Sequence, residues 1–248
     1  MPIVEDSYIG KGVVHIKNRA SGGYRFLANV ESLSNSFDTE EKSIPNNTTA
    51  GGGKWDSLTR ITSAKVSLSM YDLSAENLAL ATNGTVAAVT AGAIVDEVII
   101  AGAIGDFTPS VNLIDVAVAP IVKHTTNTPI YTVNTDYTVS PSGITIVAGG
   151  AITAAQSLKI SYTKKAASVV EMLTASAGEY TLMIDGLNEA NSGSAVRLTI
   201  HRCKPAATSE ISWIGDDFAT LPLELEMLPD AAIIAAGKSK YAKVEKAA

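Results

Sequence analysis

From Leu221 to Leu228 the chain alternates with a period of two. Leu221, Leu223, Leu225 and Met227 are separated by Pro222, Glu224, Glu226 and Leu228. That is the repeat of a pleated strand, whose successive side chains point to opposite faces. A helix would scatter the same leucines around its circumference, so the pattern argues against one. The alternation recurs upstream. Ala64, Val66, Leu68 and Met70 oppose Ser63, Lys65, Ser67 and Ser69, and Tyr180, Leu182 and Ile184 oppose Thr181, Met183 and Asp185. Val196, Leu198 and Ile200 oppose Arg197, Thr199 and His201. Such sheets rest one face on a core and turn the other to water. The chain is therefore read as mainly β.

The remaining elements follow from local signals. Residues 12–17 and 24–38 read as strands joined by the glycine-containing loop 18–23. In the second, Phe26, Ala28 and Val30 share a face, and the apolar phase then moves to Leu33 and Phe37, which implies a bulge or bend. Residues 39–59 break the pattern with Glu40, Glu41, Lys42, Pro45, Asn46 and the run Gly51–Gly53. They read as one long polar loop, and a loop of that length in a compact domain usually has a job. A short helix follows residue 71. Ser74 is its expected N-cap, Glu76 lies in its first turn, and Leu73 and Leu78 are spaced as a hydrophobic staple. Leu78, Leu80 and Ala81 supply its packing face, and Asn83-Gly84 ends it.

Texture divides the chain. Residues 1–85 and 166–237 carry the long amphipathic strands, with Gly186–Gly193 as a loop and Ile211–Ile214 as a further short strand. Residues 86–165 hold shorter runs expected as strands: Asp96–Ala101, Leu113–Val118, Tyr137–Val139, Gly143–Val147 and Leu158–Thr163. Ser140-Pro141-Ser142-Gly143 marks a hairpin among them. This stretch reads as a small inserted β module within a discontinuous domain. Residues 238–248, rich in Lys and Ala, read as a flexible tail.

Charge and composition narrow the function. The 248 residues are 46 % hydrophobic with a mean hydropathy of +0.18, as a globular chain requires. Net charge is −6, and the excess is local: residues 166–237 carry ten acids against three bases. An acidic chain is poorly suited to gripping nucleic acid, because grip comes from cations that neutralise phosphates. It could surround DNA that must slide without sticking. Cys203, the single cysteine, falls in an alternating run and reads as a half-buried strand thiol. The acidic start Met1–Asp6 shows no apolar leader, and no apolar run is long enough for a membrane-crossing helix, so no membrane partner is expected.

Local catalytic signatures are missing. His15, His124 and His201 have no neighbouring ligand at metal spacing. Gly51-Gly52-Gly53-Lys54 lacks the first glycine of a phosphate loop, and Trp55 stands where Ser or Thr is needed. Asp216-Asp217, read as strand neighbours, would point to opposite faces, so a turn or solvated edge suits them better than a carboxylate pair. The expectation is a chain that is not an enzyme, with no cofactor and no metal.

Several phrases carry a resemblance. Gly10-Lys11-Gly12-Val13-Val14 precedes Arg25-Phe26-Leu27-Ala28-Asn29-Val30. After the polar stretch comes Tyr71-Asp72-Leu73-Ser74-Ala75-Glu76-Asn77-Leu78-Ala79-Leu80-Ala81, a strand-to-helix junction. The later stretches Tyr180–Leu187, Val196–Cys203 and Leu221–Leu228 look like the second half of the same domain. The chain thus resembles bacteriophage tail tube proteins (major tail proteins) over roughly 1–85 and 166–237. The resemblance implies a β-sandwich or barrel with one short flanking helix. It implies homo-oligomeric rings, hexamers in that family, stacked into a virion tail tube. Partners would be other tail proteins and DNA passing through the lumen without specific binding. The 39–59 stretch, with Glu40, Glu41, Lys42, Asn46, Lys54 and Trp55, would reach a neighbouring subunit or the next ring. Glu224 and Glu226 would be lumen acids. Alternatives are a contractile tail or secretion-type injector, or a carbohydrate-binding adhesin. For the last, the aromatics Tyr8, Trp55, Tyr131, Tyr137 and Trp213 show no clustered spacing.

Overall fold

A computed structural model of the chain describes residues 7–27 and 29–247. The Met1–Asp6 segment and Ala28, expected on the Phe26 and Val30 face, lie outside the described residues. Two compact units emerge, one of Met1–Val86 with Val170–Ala248 and one of Ala87–Val169.

The first unit begins with β1 (Gly10–Asn18), β2 (Arg25–Phe26), β3 (Val30–Pro45), β4 (Lys54–Met70) and α1 (Ala75–Thr82). The expected irregularity within 24–38 is present, but the expected face is reversed: Phe26 and Phe37 are exposed and Leu27 is fully buried. β2 pairs with β1, whereas β3 pairs with β4, and the β3 register slips between Val30 and Ser32. The long loop expected over 39–59 is instead the outer half of a β-hairpin, paired out to Pro45 and Lys54, with only 46–53 as turn. Pattern reading missed it because these strands bury no face. Their backbone groups are satisfied by each other, and nothing demands apolar alternation. At the tip, Gly51, Gly52 and Gly53 all take positive φ, open to glycine without strain.

The helix forms where expected, with one correction. Ser74 occupies the N-cap position, but its side chain makes no capping bond. Asp72 takes over at this end: its carboxylate accepts from the Ser74 amide at 3.2 Å and from Asn77 Nδ2 at 3.0 Å. Its negative charge also suits the helix N-terminus. Leu78 enters the core and Leu73 packs against it, as a staple would. Asn83 turns left-handed at φ 49°, and the Gly84 amide closes on the Ala79 carbonyl. A Cβ on Gly84 would meet the Glu171 carbonyl oxygen at 2.5 Å, so only glycine fits there.

The chain next runs through β5 (Thr85–Val89), β6 (Gly92–Ile100), β7 (Phe107–Pro109), β8 (Ile121–His124), β9 (Ile130–Tyr131), β10 (Tyr137–Ser140), β11 (Gly143–Ile146), β12 (Ser157–Lys164) and β13 (Ala167–Glu171). β5 and β13 pair as a two-stranded ribbon. The second unit holds a four-stranded sheet, β6-β12-β8-β9, and a three-stranded sheet, β10-β11-β7. The Ser140–Gly143 hairpin is present. Both sheets feed one core, including Val122, Leu158 and Ile160 from the first and Tyr137, Ile144 and Ile146 from the second. Leu113–Val118 is not a strand. Ile114 makes a single bridge to Lys164, and Asp115 then turns the chain by accepting from the Ala117 amide.

The first unit is completed by β14 (Tyr180–Asn188), β15 (Ser194–Ala206), β16 (Leu221–Met227) and β17 (Ala242–Lys246). Its strands form one sheet in the order β2-β1-β14-β15-β16-β4-β3, and β17 pairs with β15. Among the described residues, no sheet closes on itself. The unit is mainly β as expected, an unclosed sheet with one short helix, α1, packed on its apolar side against β15 and β16. β14 extends through Asn188 into the expected Gly186–Gly193 loop, which shortens to a 3-10 turn. Two other expectations are corrected. β16 covers only Cys203–Ala206 of the outer β15 edge, which leaves Val196–Ile200 for β17. The 238–248 segment is therefore partly strand and not a loose tail. Ile211–Ile214 is irregular and not the expected strand.

Candidate assembly surface

Beyond Lys65, β4 has left β16, and β3 is the last strand of its sheet. The outer hairpin is therefore a ribbon with both edges unpaired. Thr39 faces Ile61 and Glu41 faces Thr59 on one side. Lys42 faces Leu58 and Ile44 faces Asp56 on the other. Phe37, Ile44, Trp55, Leu58 and Ile61 are all exposed, Trp55 by 65 % at the register slip opposite Ile44 and Pro45. A two-stranded ribbon with no packed face is marginal in water, and open edges invite pairing with another chain.

The six residues expected to act between subunits all lie on this ribbon. Glu40, Glu41 and Lys42 are on β3, and Lys54 and Trp55 open β4. Lys54 donates to Glu41, and its hydrogen bond and charge hold that carboxyl below its usual range. Lys42 lies 3.9 Å from Glu40. Asn46 organises the turn instead: its Oδ1 accepts from the Thr48 amide at 2.9 Å, and its Nδ2 donates to Thr49 at 3.1 Å.

Glu224 and Glu226 project from the exposed face of β16, opposite the buried Leu223 and Leu225. Their surroundings differ. Glu226 stands in register with Lys65 on β4 and Lys204 on β15, whereas Glu224 stands between Ser67 and Ala206. Opposite charges directly across strands attract, and Glu226 has two lysines as register partners where Glu224 has none.

Two polar groupings escaped the sequence reading. Asn77, only 1 % exposed, donates to the Leu27 carbonyl at 3.1 Å and to Asp72, and accepts from Arg25 at 2.7 Å. Its signal was a polar side chain beside the packing residues Leu78 and Leu80. The second grouping joins the ends of β1, β14 and β16 to the middle of β15. Arg19 donates to Asp230 at 2.8 and 3.2 Å and to the His201 carbonyl at 2.7 Å. Arg202 grips Glu179 in a fork and donates to the Pro229 carbonyl at 3.1 Å. The Arg202 hydrogen bonds hold the Glu179 carboxyl low, and Arg19 does the same for Asp230. These contacts join residues 182 and 211 positions apart, which no local pattern reveals.

The remaining sequence candidates are scattered. His15 lies beside Phe26, and His124 bonds Thr126 within its own turn. Cys203 is fully buried, its Sγ donates to the Tyr180 carbonyl, and burial pushes the thiol up to about 12. Asp216 and Asp217 lie in the exposed irregular connection between β15 and β16. Among the described residues, no group of three His, Cys, Asp or Glu side chains is placed to hold a metal ion, and no helix is long and apolar enough to cross a membrane.

A model of the family described as "Protein of unknown function UCP028589" matches residues 7–245. No curated protein matches the chain.

Proposed function

The chain belongs to this family, and we propose that it is the structural subunit of a phage tail tube, assembling into stacked rings that enclose a conduit for DNA. The observation that carries this reading is the β3/β4 ribbon, which runs past the sheet with open edges and exposed Phe37, Ile44, Trp55, Leu58 and Ile61. A protein that stayed alone would have to protect such an element. Copies arranged in a ring would cover it on a neighbour and would join the open ends of the sheet, β2/β1 and β3, from copy to copy. The exposed sheet face would then line the lumen. There Glu224, with no lysine as register partner, repels phosphate, while Glu226, flanked by Lys65 and Lys204, mainly holds strand pairing together. The same geometry would serve a sheathed tail or an injector.

Electron microscopy of the concentrated, negatively stained protein tests the proposal. Rings or tubes of uniform bore are expected. Monodisperse monomers at every concentration would sink it.

A further inference from the structure

β6 departs from the alternation that orders the rest of the fold. Ile94 and Ile99 face the core of the second unit, yet Val95, Val98 and Ile100 on the other side are exposed. Ile121 of β8 and Ile130 of β9 join that outer face: Ile121 pairs with Ser161, Val98 and Lys123 both pair with Lys159, and Ile130 pairs with Lys123. A strand apolar on both faces is the signature of burial on both. The three-stranded sheet obeys the ordinary rule, with Thr138 and Thr145 paired on its outward side. In the middle of the apolar face sits a polar island. Asp96, held at φ 57° in a β6 bulge, lies 2.8 Å from Lys123 and 3.9 Å from Lys159, while Lys159 also donates to Asn127 at 3.1 Å. Two ammonium groups share one carboxylate, so the island carries a net positive charge.

The connection between β15 and β16 in the first unit has the opposite chemistry. Over 207–220 it carries Glu210, Asp216 and Asp217 with no basic residue. It also exposes Trp213, Ile214 by 95 % and Phe218 by 91 %. Large apolar side chains this open, interleaved with acids, are unusual unless they serve a contact.

We infer that the 210–218 connection of one copy docks on the outer face of the β6-β12-β8-β9 sheet of a second copy, with Ile214 and Phe218 against Val98 and Ile100 and the two aspartates against Lys123 and Lys159. Charge favours this occupant, since an acidic segment meets a face of net positive charge. Size favours it too. Four strands about 4.8 Å apart and about 15 Å long present roughly 300 Å². A stable stand-alone pair of proteins needs about 800 Å² per partner. The face suits a loop, and its contribution adds to others when copies repeat. Because the two patches differ, each copy offers both halves of the contact, which can repeat head-to-tail from copy to copy. It does not depend on the tube reading, because the two patches and their charges belong to the chain itself.

The test begins with zero-length carbodiimide cross-linking of an equal mixture of ¹⁴N- and ¹⁵N-labelled protein. Mixed-isotope peptides joining Asp216 or Asp217 to Lys123 or Lys159 are expected. Their absence, or same-isotope products alone, overturns the inference. Sedimentation equilibrium supplies a second readout. Ile214→Ser with Phe218→Ser removes no core contact and should weaken self-association at least tenfold, as should Lys123→Glu. Adding Asp216→Lys and Asp217→Lys to Lys123→Glu should bring association back to within about threefold of the parent. Unchanged association in the serine variant, or no recovery in the charge swap, overturns it. A variant lacking the β3/β4 ribbon should still give the mixed-isotope cross-link, at lower yield and only at higher protein concentration, because the small face then acts alone; this separates failure of this contact from failure of the tube proposal.

Discussion

Asn77 uses both ends of its amide inside the first unit, and that gives one side chain unusual leverage. It ties α1 to the Leu27 carbonyl, to Asp72 and to Arg25. Asn77→Ala strands a buried carbonyl acceptor, so it should cost about 2–3 kcal/mol in urea unfolding. Glu226 and Glu224 form a paired comparison. Glu226→Lys places three lysines in one cross-strand row with Lys65 and Lys204 and should lower the unfolding midpoint. Glu224→Lys, between Ser67 and Ala206, should leave it nearly unchanged. The Arg19–Asp230 and Arg202–Glu179 pairs predict an acid limb. Both carboxyls sit below their ordinary values in the fold, so their contribution is complete above the unfolded carboxylate range of about 4. It is lost as pH falls from there through the lowered folded values. Arg19→Gln and Arg202→Gln should each flatten the fall in melting temperature measured between about pH 5 and pH 2.

At the level of elements, the ribbon is separable from the core. Its outer residues contribute nothing to the buried cluster, which ends on this hairpin at Ala64. Replacing Glu40–Arg60 with Asn-Gly would join Thr39 to Ile61, a facing pair, through a two-residue turn. Unfolding stability should stay within about 1 kcal/mol of the parent, while the rings or tubes sought by microscopy should disappear. Retained assembly in that variant would show that the ribbon is not the subunit contact. The buried alternation of β4 and β16 was legible, as were the helix and its Asn83-Gly84 end. The ribbon was not. Its polarity matched that of a loop, and only pairing distinguishes an exposed strand from one.

Across the whole molecule, two cores are fed by different strands. Leu223 is fully buried in the first, and Leu223→Ala should cost about 3 kcal/mol through lost transfer energy and the cavity left behind. Hydrogen exchange should then quicken in β4, β15 and β16, while amides of 92–164, whose core is a separate cluster, keep their protection.

By itself the sequence determined which residues of β4 and β16 face inward, though not those around β2, where Leu27 is buried and Phe26 exposed. The period of two along β4, β14, β15 and β16 is a local property of the backbone, and burial follows from it. Tertiary structure decided which strand lies beside which. β17 entered the sheet because β16 left part of the β15 edge uncovered, and Ile211–Ile214 stayed irregular in the connection between β15 and β16. It also set Lys65 and Lys204 beside Glu226, and it left the outer face of β6 bare although both sides of that strand are apolar. Pairing depends on edges brought together from far along the chain, and a local pattern carries no record of them.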